Sequence, residues 1–349
     1  AQAGFSVTII DALSLDTRKD RDFDGRSYTL ALGSKRLLQA IDIWDAVASD
    51  AQPMLEIKVT DGRAGEGPSQ WMLHFDHAEI EEGPMGFMVE DRHLRAAFLT
   101  AMANHPQITH LAGETVVSQS VDGIAHVTTA SGVSVTGRLL IGCDGRSSGT
   151  ATRAGITRTG WGYDQTAIVC AVAHEKPHNG IAHQFFMPGG PLAILPLTKN
   201  RSSIVWSEKS RAVDAAMALP DAAFAAELAR RFGIFLGAVK PCAPRWAYPL
   251  SLQTAERYTN TRLALIGDAA HAIHPIAGQG LNMGLRDAAA LADVVAVSRS
   301  VGLDLGGAAI GDYEAWRNFD NKTLALSTDM LNRLFSNNIA PLRHARRLG

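Results

Sequence analysis

The stretch that most constrains the fold of this chain runs from Leu263 to Asn282 and reads LALIGDAAHAIHPIAGQGLN. Its first four residues are apolar and predict a buried strand, which Gly267-Asp268 ends. A short loop and a glycine-rich turn, Gly278-Gln279-Gly280, then lead into a helix that we predict from about Leu281. A carboxylate at a strand end and the unpaired N–H groups at a helix start together favour binding of a polar or anionic ligand.

Length and composition narrow the class of protein. A chain of 349 residues is too long for one compact core, so we expect two domains. Hydrophobic residues make up 46% and charged residues 19%, as in ordinary globular proteins. The formal net charge is -2 and no basic block with interleaved aromatic residues occurs, which argues against a nucleic-acid partner.

Cysteine usage and hydropathy bear on compartment. The three cysteines have no paired spacing, which argues against a zinc site or a disulfide framework and favours a reducing compartment. No apolar run reaches the roughly 18 residues that span a bilayer. We therefore expect a cytoplasmic protein, with peripheral attachment to the inner membrane left open.

Two other predicted strands also end on aspartate. The strand Phe5–Ile10 ends on Asp11. The apolar strand that begins near Arg138 ends on Asp144-Gly145. Ligands of open α/β sheets bind outside the carboxyl ends of such strands. Asp11 is either a turn former or the acidic residue that holds a ribose in a dinucleotide-binding unit. Arg26 is either a solvated turn residue or a phosphate contact.

The remaining patterns divide the chain into regions of mixed helices and strands and one region dominated by strands. We predict a helix over 34–47, a β-hairpin over 54–75, a helix that follows Glu90-Asp91-Arg92 and ends at about Asn104, and a long amphipathic helix over 313–335. Between Gly155 and Leu250, alternating segments predict an antiparallel sheet interrupted by one helix, 221–232, with Asp221 as its N-cap.

These patterns give an α/β fold with an inserted antiparallel-sheet domain. We assign 1–52, 86–153 and 251–310 to the first domain, 53–85 and 154–250 to the inserted domain, and 311–349 to a C-terminal helical segment. Ala1 to Gly4 resemble the last turn of a helix with its C-cap glycine. We therefore expect that a first βα element precedes this chain and that the C-terminal segment is truncated.

The motifs resemble those of one enzyme family. GDAAHAIHPIAGQGLNMGLRDAAALA is similar to the flavin-binding segment of the class A flavoprotein aromatic hydroxylases, the group related to para-hydroxybenzoate hydroxylase. Leu140 to Ser148 resembles the Asp-Gly signature of that family. The segments AVAHEKPHNGIAHQFFMPGGPLAILPL and SSIVWSE look most like the ubiquinone-biosynthesis hydroxylases. The resemblance implies an FAD-binding Rossmann-like domain of the GR2 type and covers nearly the whole chain.

The resemblance also implies roles for the site residues. Asp268, after Gly267, would hold the ribityl chain of FAD, and Pro275 would lie near the flavin ring. The backbone from Gly278 to Asn282 would face the pyrimidine edge of the ring. On the dinucleotide side the implied contacts are Asp144, Asp11 on the adenosine ribose, and Arg26. The GxGxxG loop that cradles the pyrophosphate in the family is not among these 349 residues.

The implied reaction is a monooxygenation. NAD(P)H reduces FAD, dioxygen adds to form a flavin hydroperoxide, and one oxygen atom passes to an electron-rich aromatic carbon of a hydrophobic phenolic substrate. The catalytic candidates are Pro275, which positions the flavin ring, and His271. The pair His271 and His274 has the spacing of some metal ligands, but no third ligand is visible, so we expect no metal.

Three functions remain open from the sequence. The first is hydroxylation of a polyprenylated phenol in ubiquinone biosynthesis. The second is hydroxylation of small soluble phenols or a related flavin reaction. The third is a non-catalytic component of a biosynthetic complex that keeps the flavoprotein fold. Homo-oligomer formation is left open.

Overall fold

The computed structural model describes residues 1–65, 67–80, 82–307 and 309–335. In these residues the chain forms twenty strands and eight α-helices. The strands are β1 Val7–Asp11, β2 Ser27–Leu30, β3 Gln52–Met54, β4 Glu56–Arg63, β5 Gly67–Asp76, β6 Gly86–Glu90, β7 Ile108–Ala112, β8 Val116–Asp122, β9 Ile124–Thr129, β10 Ser134–Gly137, β11 Leu140–Gly142, β12 Arg158–His174, β13 Ile181–Met187, β14 Gly190–Leu197, β15 Arg201–Lys209, β16 Val239–Pro241, β17 Trp246–Ala255, β18 Thr259–Asn260, β19 Leu263–Leu265 and β20 His271–Ala272.

Eight α-helices accompany these strands in the described residues. They are α1 Leu15–Lys19, α2 Leu32–Ala40, α3 Asp91–Asn104, α4 Gly149–Arg153, α5 Ser210–Met217, α6 Asp221–Phe232, α7 Gln279–Ser300 and α8 Ala309–Phe335. No helix in the part of the chain that the structure describes is long and apolar enough to cross a membrane.

Parallel pairs build the part of the fold that carries the acidic strand ends. β1 pairs in parallel with β7, and β11 pairs in parallel with β19. Helices α7 and α8 pack against β19 around a core that includes Leu265 and Tyr313, and the Tyr313 hydroxyl donates to the Leu265 carbonyl at 2.7 Å. This arrangement confirms the predicted α/β architecture.

A nine-stranded sheet forms the second layer, in the order β20-β17-β12-β15-β14-β13-β4-β5 with β16 paired to β12. The predicted hairpin is confirmed as β4 and β5. The sheet is mixed rather than purely antiparallel, because β4 runs parallel to β13. That parallel pair could not be foreseen, since its two strands lie far apart in the sequence.

Two helices, not one, interrupt the strands of this sheet. Both α5 and α6 cover its back face, where they bury an apolar cluster that includes Ile168, Trp206 and Phe224. The prediction missed α5. The prediction of Asp221 as the cap of α6 was also wrong, because Pro220 is the N-cap residue and no side chain caps the helix.

The helix predicted over 34–47 is shorter and begins earlier. It is α2, which ends at Ala40. Asp42 has a φ of 58°, a left-handed conformation that a continuing helix cannot contain, and two 3-10 turns, Trp44–Ala46 and Ala48–Asp50, follow. Leu38 and Trp44 are both buried in the same apolar cluster, and this shared burial explains why the apolar spacing predicted a helix longer than the one observed.

Candidate active site

Two of the three acidic strand ends lie side by side. Because β11 and β19 are parallel neighbours, Asp144 and Asp268 follow their strands at the same edge of the sheet. Arg146, two residues after Asp144, has its Nε 3.8 Å from Asp268 Oδ2. The parallel pairing of β11 with β19 therefore brings both strand ends to one edge of the sheet.

The Asp144 carboxylate organises the turn that follows β11. It accepts hydrogen bonds from the Ser148 hydroxyl and from the backbone N–H and hydroxyl of Thr150, the last two at 2.9 Å. Partial desolvation would raise the pKa of Asp144, but these hydrogen bonds lower it. Asp144 is thus ionised and largely engaged by its own loop.

The Asp268 carboxylate remains open to a ligand. Its side chain is 44% exposed, and Arg146 is the cation beside it. The preceding residue, Gly267, has a φ of 60°, and its N–H donates to Asp287 Oδ2 at 3.0 Å. This hydrogen bond to the buried Asp287 fixes the backbone before Asp268, so the Asp268 carboxylate faces solvent at the end of β19.

Asp11 and Arg26 each have protein partners. Arg18 binds the Asp11 carboxylate through two hydrogen bonds, of 2.7 and 2.9 Å. Burial would raise the pKa of Asp11, but the Arg18 contact lowers it. The Arg26 guanidinium lies 2.7 Å from Asp24 Oδ2 and 3.5 Å from Asp91 Oδ2. Burial and the charges of Asp144 and Asp11 raise the pKa of the Cys143 thiol, so Asp11 lies near the residue that precedes Asp144.

Two glycines at the start of α7 have different surroundings: Gly278 has no room for a side chain, and Gly280 faces empty space. Gly278 has a φ of 61°, and a Cβ there would lie 2.8 Å from Thr29. A Cβ on Gly280 would meet no heavy atom within 4 Å, so space lies above the first turn of the helix. Pro275 is exposed just before this turn, and Gln279 and Leu281 are half-buried within it.

Asn282 fastens this turn to the neighbouring strand. Its Nδ2 donates to the Thr29 carbonyl at 2.8 Å, and its Oδ1 accepts from the Ala31 N–H and the Ser34 hydroxyl. The Asn282 side chain is therefore satisfied within the protein, and it ties the first turn of α7 to β2.

The two histidines of the loop are both buried. His271 Nε2 lies 2.5 Å from Asp287 Oδ2. His274 packs edge-on against the Tyr163 ring at a centroid distance of 5.2 Å, and neither of its ring nitrogens has a hydrogen-bond partner among the described residues. Burial lowers the pKa of His274 to about 4, so this ring is neutral near pH 7. His271 is thus placed behind the loop rather than on its open side.

Sequence reasoning missed the buried ion network behind this loop. Asp287 is fully buried and also accepts hydrogen bonds from Arg317 Nε at 2.8 Å and Asn321 Nδ2 at 3.0 Å. Burial would raise the pKa of Asp287, but hydrogen bonds from His271, Arg317 and Asn321 lower it. The signal available in the sequence was an Asp interrupting the most apolar helix, α7.

His271 and His274 have the sequence spacing of some metal ligands. No group of three or more His, Cys, Asp or Glu side chains with the geometry of a metal site occurs within them. The pair His271 and His274 does not converge, because His271 contacts Asp287 while His274 contacts Tyr163.

One protein family matches most of the chain. The family described as FAD binding domain matches residues 1–299. Among solved structures, the crystal structure of pqsL, a probable FAD-dependent monooxygenase from Pseudomonas aeruginosa, superposes with a TM-score of 0.80 at 19% identity. The superposition covers 96% of this chain and 91% of that chain, which shows a shared fold.

Curated relatives are similar along the full length. The chain is 47% identical to the ubiquinone hydroxylase UbiL of Rhodospirillum rubrum, over 100% of this chain and 80% of that protein. It is 34% identical to the 3-demethoxyubiquinol 3-hydroxylase of Escherichia coli, over 100% of this chain and 88% of that protein. The chain therefore belongs to the FAD-dependent monooxygenases, in the family of the ubiquinone-biosynthesis hydroxylases.

Proposed function

We propose that this protein hydroxylates the aromatic ring of a polyprenylated phenol in ubiquinone biosynthesis, using FAD, NAD(P)H and dioxygen. Two relatives that span the whole chain bear the names of ubiquinone-pathway hydroxylases. The observation that carries the proposal is the open first turn of α7, which lies between the exposed Pro275 and the space above Gly280. A flat ring with a polar edge fits such a turn.

The residues of the site fit FAD. Asp268 has an exposed carboxylate at a strand end, which suits hydroxyl groups of a ribityl chain. Gly278 and Gly280 allow a ring edge to approach the backbone of the turn, and Gln279, Leu281 and Asn282 continue that backbone. When bound, FAD supplies the redox chemistry by accepting a hydride from NAD(P)H and activating dioxygen.

The protein's own part is to bind, orient and balance charge. The positive end of the α7 dipole stabilises negative charge beside the turn by roughly 0.3–2 kcal/mol. Pro275 limits the approach of the ring from the loop side. Asp11 accepts from a ribose hydroxyl with the lone pairs that Arg18 leaves free, and Arg26 and Asp144 shape the adenosine side.

His271 acts as a positioning residue rather than a catalytic one. It is only 2% exposed and is bound to Asp287, which in turn holds the Gly267 N–H. His271 therefore acts on a ligand through the backbone of Gly267 and Asp268. Its place in the loop fixes the distance between the end of β19 and the start of α7.

Replacing Gly280 by alanine should separate cofactor binding from stability. The added methyl group meets no protein atom, and alanine is the better helix former, so the FAD-free protein should gain up to about 1 kcal/mol in free energy of unfolding. The same methyl group occupies the space proposed for the ring edge, so FAD affinity should fall at least roughly tenfold. Urea unfolding and FAD titration measure the two effects.

Gly311→Ala is the matched control for this variant. Gly311 lies in α8, and a Cβ there also meets no atom within 4 Å. It should gain stability without losing FAD affinity. Unchanged FAD binding by Gly280→Ala would place the flavin ring elsewhere.

The reaction itself is tested with isotopic oxygen. The FAD-loaded protein is supplied with NAD(P)H, ¹⁸O₂ and a prenylated phenol, and the product is analysed by mass spectrometry. We expect one labelled oxygen atom on the aromatic ring. Consumption of NAD(P)H with hydrogen peroxide as the sole product, for every phenol offered, would count against the proposal.

We also propose that α8 attaches the protein peripherally to a lipid surface, because a polyprenylated substrate partitions into lipid. The outward face of α8 carries exposed apolar side chains at helical spacing: Trp316, Phe319, Leu326, Met330 and Leu334. By the same spacing, the exposed Lys322 and Arg333 lie along one edge of this face and suit anionic headgroups.

Phe319→Asp should reduce flotation of the protein with phosphatidylglycerol-containing liposomes. Phe319 is 80% exposed, so the substitution places a charge in the apolar face with little effect on folding. Leu73→Asp, at an exposed apolar position on β5, is the control and should float like the unchanged protein. Equal flotation of all three proteins would remove α8 as the attachment site.

A further inference from the structure

The nine-stranded sheet presents one row of partly open side chains on its front face, opposite α5 and α6. Strand register aligns these side chains across five strands, since Gln184 pairs with Ala193, Ala193 with Val205, Val205 with Val169 and Val169 with Trp246. We name these five residues the front row. Because side chains alternate between faces, none of them belongs to the cluster under α5 and α6.

The front row marks a cleft in the middle of the sheet. Phe186, Ala167, Ala171 and Ala182 lie on the same face in the adjacent rows and are buried. By contrast, the first four members of the front row are half-buried and Trp246 is 40% exposed. Partial exposure at the centre of a sheet, flanked by buried residues, means that an open space reaches the sheet surface there.

Packing contacts connect the front face of the sheet with the start of α7. Beside it, Ala171 packs in one cluster with Met88. The Met88 sulfur accepts a hydrogen bond from the Thr29 hydroxyl at 3.1 Å, and Thr29 is the residue that a Cβ on Gly278 would strike. A contiguous set of contacts therefore joins the front face of the sheet to the proposed flavin turn.

The ends of the cleft differ in chemistry. On one side, Phe186 stacks on Phe335 of α8 at a centroid distance of 4.3 Å. On the other, Trp246 donates from Nε1 to the Asp24 carbonyl at 2.7 Å, and Tyr248 is exposed next to it along the strand. Between these aromatic ends, the floor formed by Ala193, Val205 and Val169 is small and apolar.

Gln184 is the polar member of the front row, and its amide has no hydrogen bond within the described residues. Its Nε2 is buried without a partner. Gln165 in β12 shows the usual situation, since it donates to the Gly189 carbonyl and accepts from Asn332 Nδ2, both at 2.9 Å. An orphaned buried amide costs free energy and calls for a functional explanation.

We propose that Gln184 hydrogen-bonds an oxygen atom on the aromatic ring of the substrate and thereby selects oxygenated rings over hydrocarbon ones. This inference rests on the proposed hydroxylase function and assigns the recognition step to one side chain. The ring lies on Ala193, Val205 and Val169. When the Gln184 amide rotates toward the cleft, its Nε2, which has no partner among the described residues of the ligand-free protein, donates a hydrogen bond to the ring oxygen.

The test compares two ligands and three proteins. The ligands are a short-chain prenylated phenol and the same prenylated benzene without the hydroxyl group, each titrated calorimetrically into the FAD-loaded full chain. The unchanged protein should prefer the phenol roughly tenfold, as expected for one hydrogen bond. Gln184→Met keeps the side-chain length, removes the amide, and should bind both ligands equally.

Thermal unfolding separates recognition from a structural role. Because Gln184→Met replaces an unpaired polar group by an apolar one, its melting temperature should stay the same or rise. Gln165→Met is the control, and it should melt earlier, since its bonded amide is lost, while keeping the preference for the phenol. If Gln184 were needed only for folding, Gln184→Met would lower the melting temperature and leave the preference for the phenol unchanged.

The outcomes distinguish this inference from the function on which it rests. If Gln184→Met keeps the tenfold preference, or the unchanged protein binds both ligands equally, Gln184 is not the recognition residue and the hydroxylase proposal stands. If the unchanged protein binds neither ligand, the proposed substrate class fails and this inference fails with it.

Discussion

Replacing Asp287 by alanine should lower the free energy of unfolding by about 3–5 kcal/mol, because the substitution breaks a buried network of charges. Asp287 is fully buried and joins four groups: His271, the Gly267 N–H, Arg317 and Asn321. Its removal leaves the buried Arg317 guanidinium with one carboxylate fewer and frees the loop before α7. FAD affinity should fall as well, because Gly267 and Asp268 lose their support.

Asp293→Ala is the matched control for this substitution. Asp293 lies in the same helix, α7, but is exposed, so its loss should change the free energy of unfolding by less than about 0.5 kcal/mol. Urea unfolding of both variants measures the difference. Equal stability of the two would mean that the ion network contributes no net stabilisation.

The effect of Asp287 should also depend on pH. Its pKa is lowered in the folded protein, so its contribution is fully present above the ordinary pKa of an aspartate. The contribution decreases as pH falls through the folded value, where the carboxylate takes up a proton. The difference between Asp287→Ala and the unchanged protein should therefore shrink under strongly acidic conditions.

Replacing Gly278 by alanine should destabilise the protein by roughly 1–3 kcal/mol and abolish tight FAD binding. Two causes add, since a φ of 61° is strained for alanine and the new Cβ would lie 2.8 Å from the Thr29 side chain. Relief of the overlap moves the first turn of α7 away from β2. The N–H groups proposed to face the flavin move with it, and an FAD titration should show the loss.

Gly302→Ala separates the two causes. Gly302 has a similar φ of 75°, but a Cβ there meets nothing within 4 Å. It should report the backbone cost alone, and the excess for Gly278→Ala measures the overlap with Thr29. A Gly278→Ala protein as stable as Gly302→Ala, with normal FAD affinity, would contradict the proposed geometry of the turn.

Local patterns predicted the strand ends well, because a buried strand followed by aspartate or glycine is visible in a few residues. β11, β19 and the start of α7 all lie where the sequence placed them. The partners of the carboxylates were not predictable in the same way. Arg18 reaches Asp11 from seven residues away, but Arg317 reaches Asp287 from thirty, across two packed helices.

The errors in the helices have equally specific causes. The pattern over 34–47 was apolar at helical spacing, yet one left-handed residue, Asp42, ended the helix early. Helix α5 was missed because Ser210 to Met217 follows the strand β15 directly, without a turn signal between them. Gln184 was unremarkable in sequence, since only the register of five strands reveals which side chains share its row.

The parallel pairing of β4 with β13 has a consequence for synthesis of the protein in the cell. The hairpin leaves the ribosome early, but its partner strand begins only at Ile181. Because synthesis adds roughly 5–20 residues per second, the edge of β4 that will pair with β13 stays unpaired for about 6–25 seconds. During that interval Met72, Leu73 and Phe75, which stay exposed even in the finished sheet, lie beside an open strand edge. Between translation of the hairpin and translation of β13, the nascent chain therefore presents an unpaired strand edge together with exposed apolar side chains.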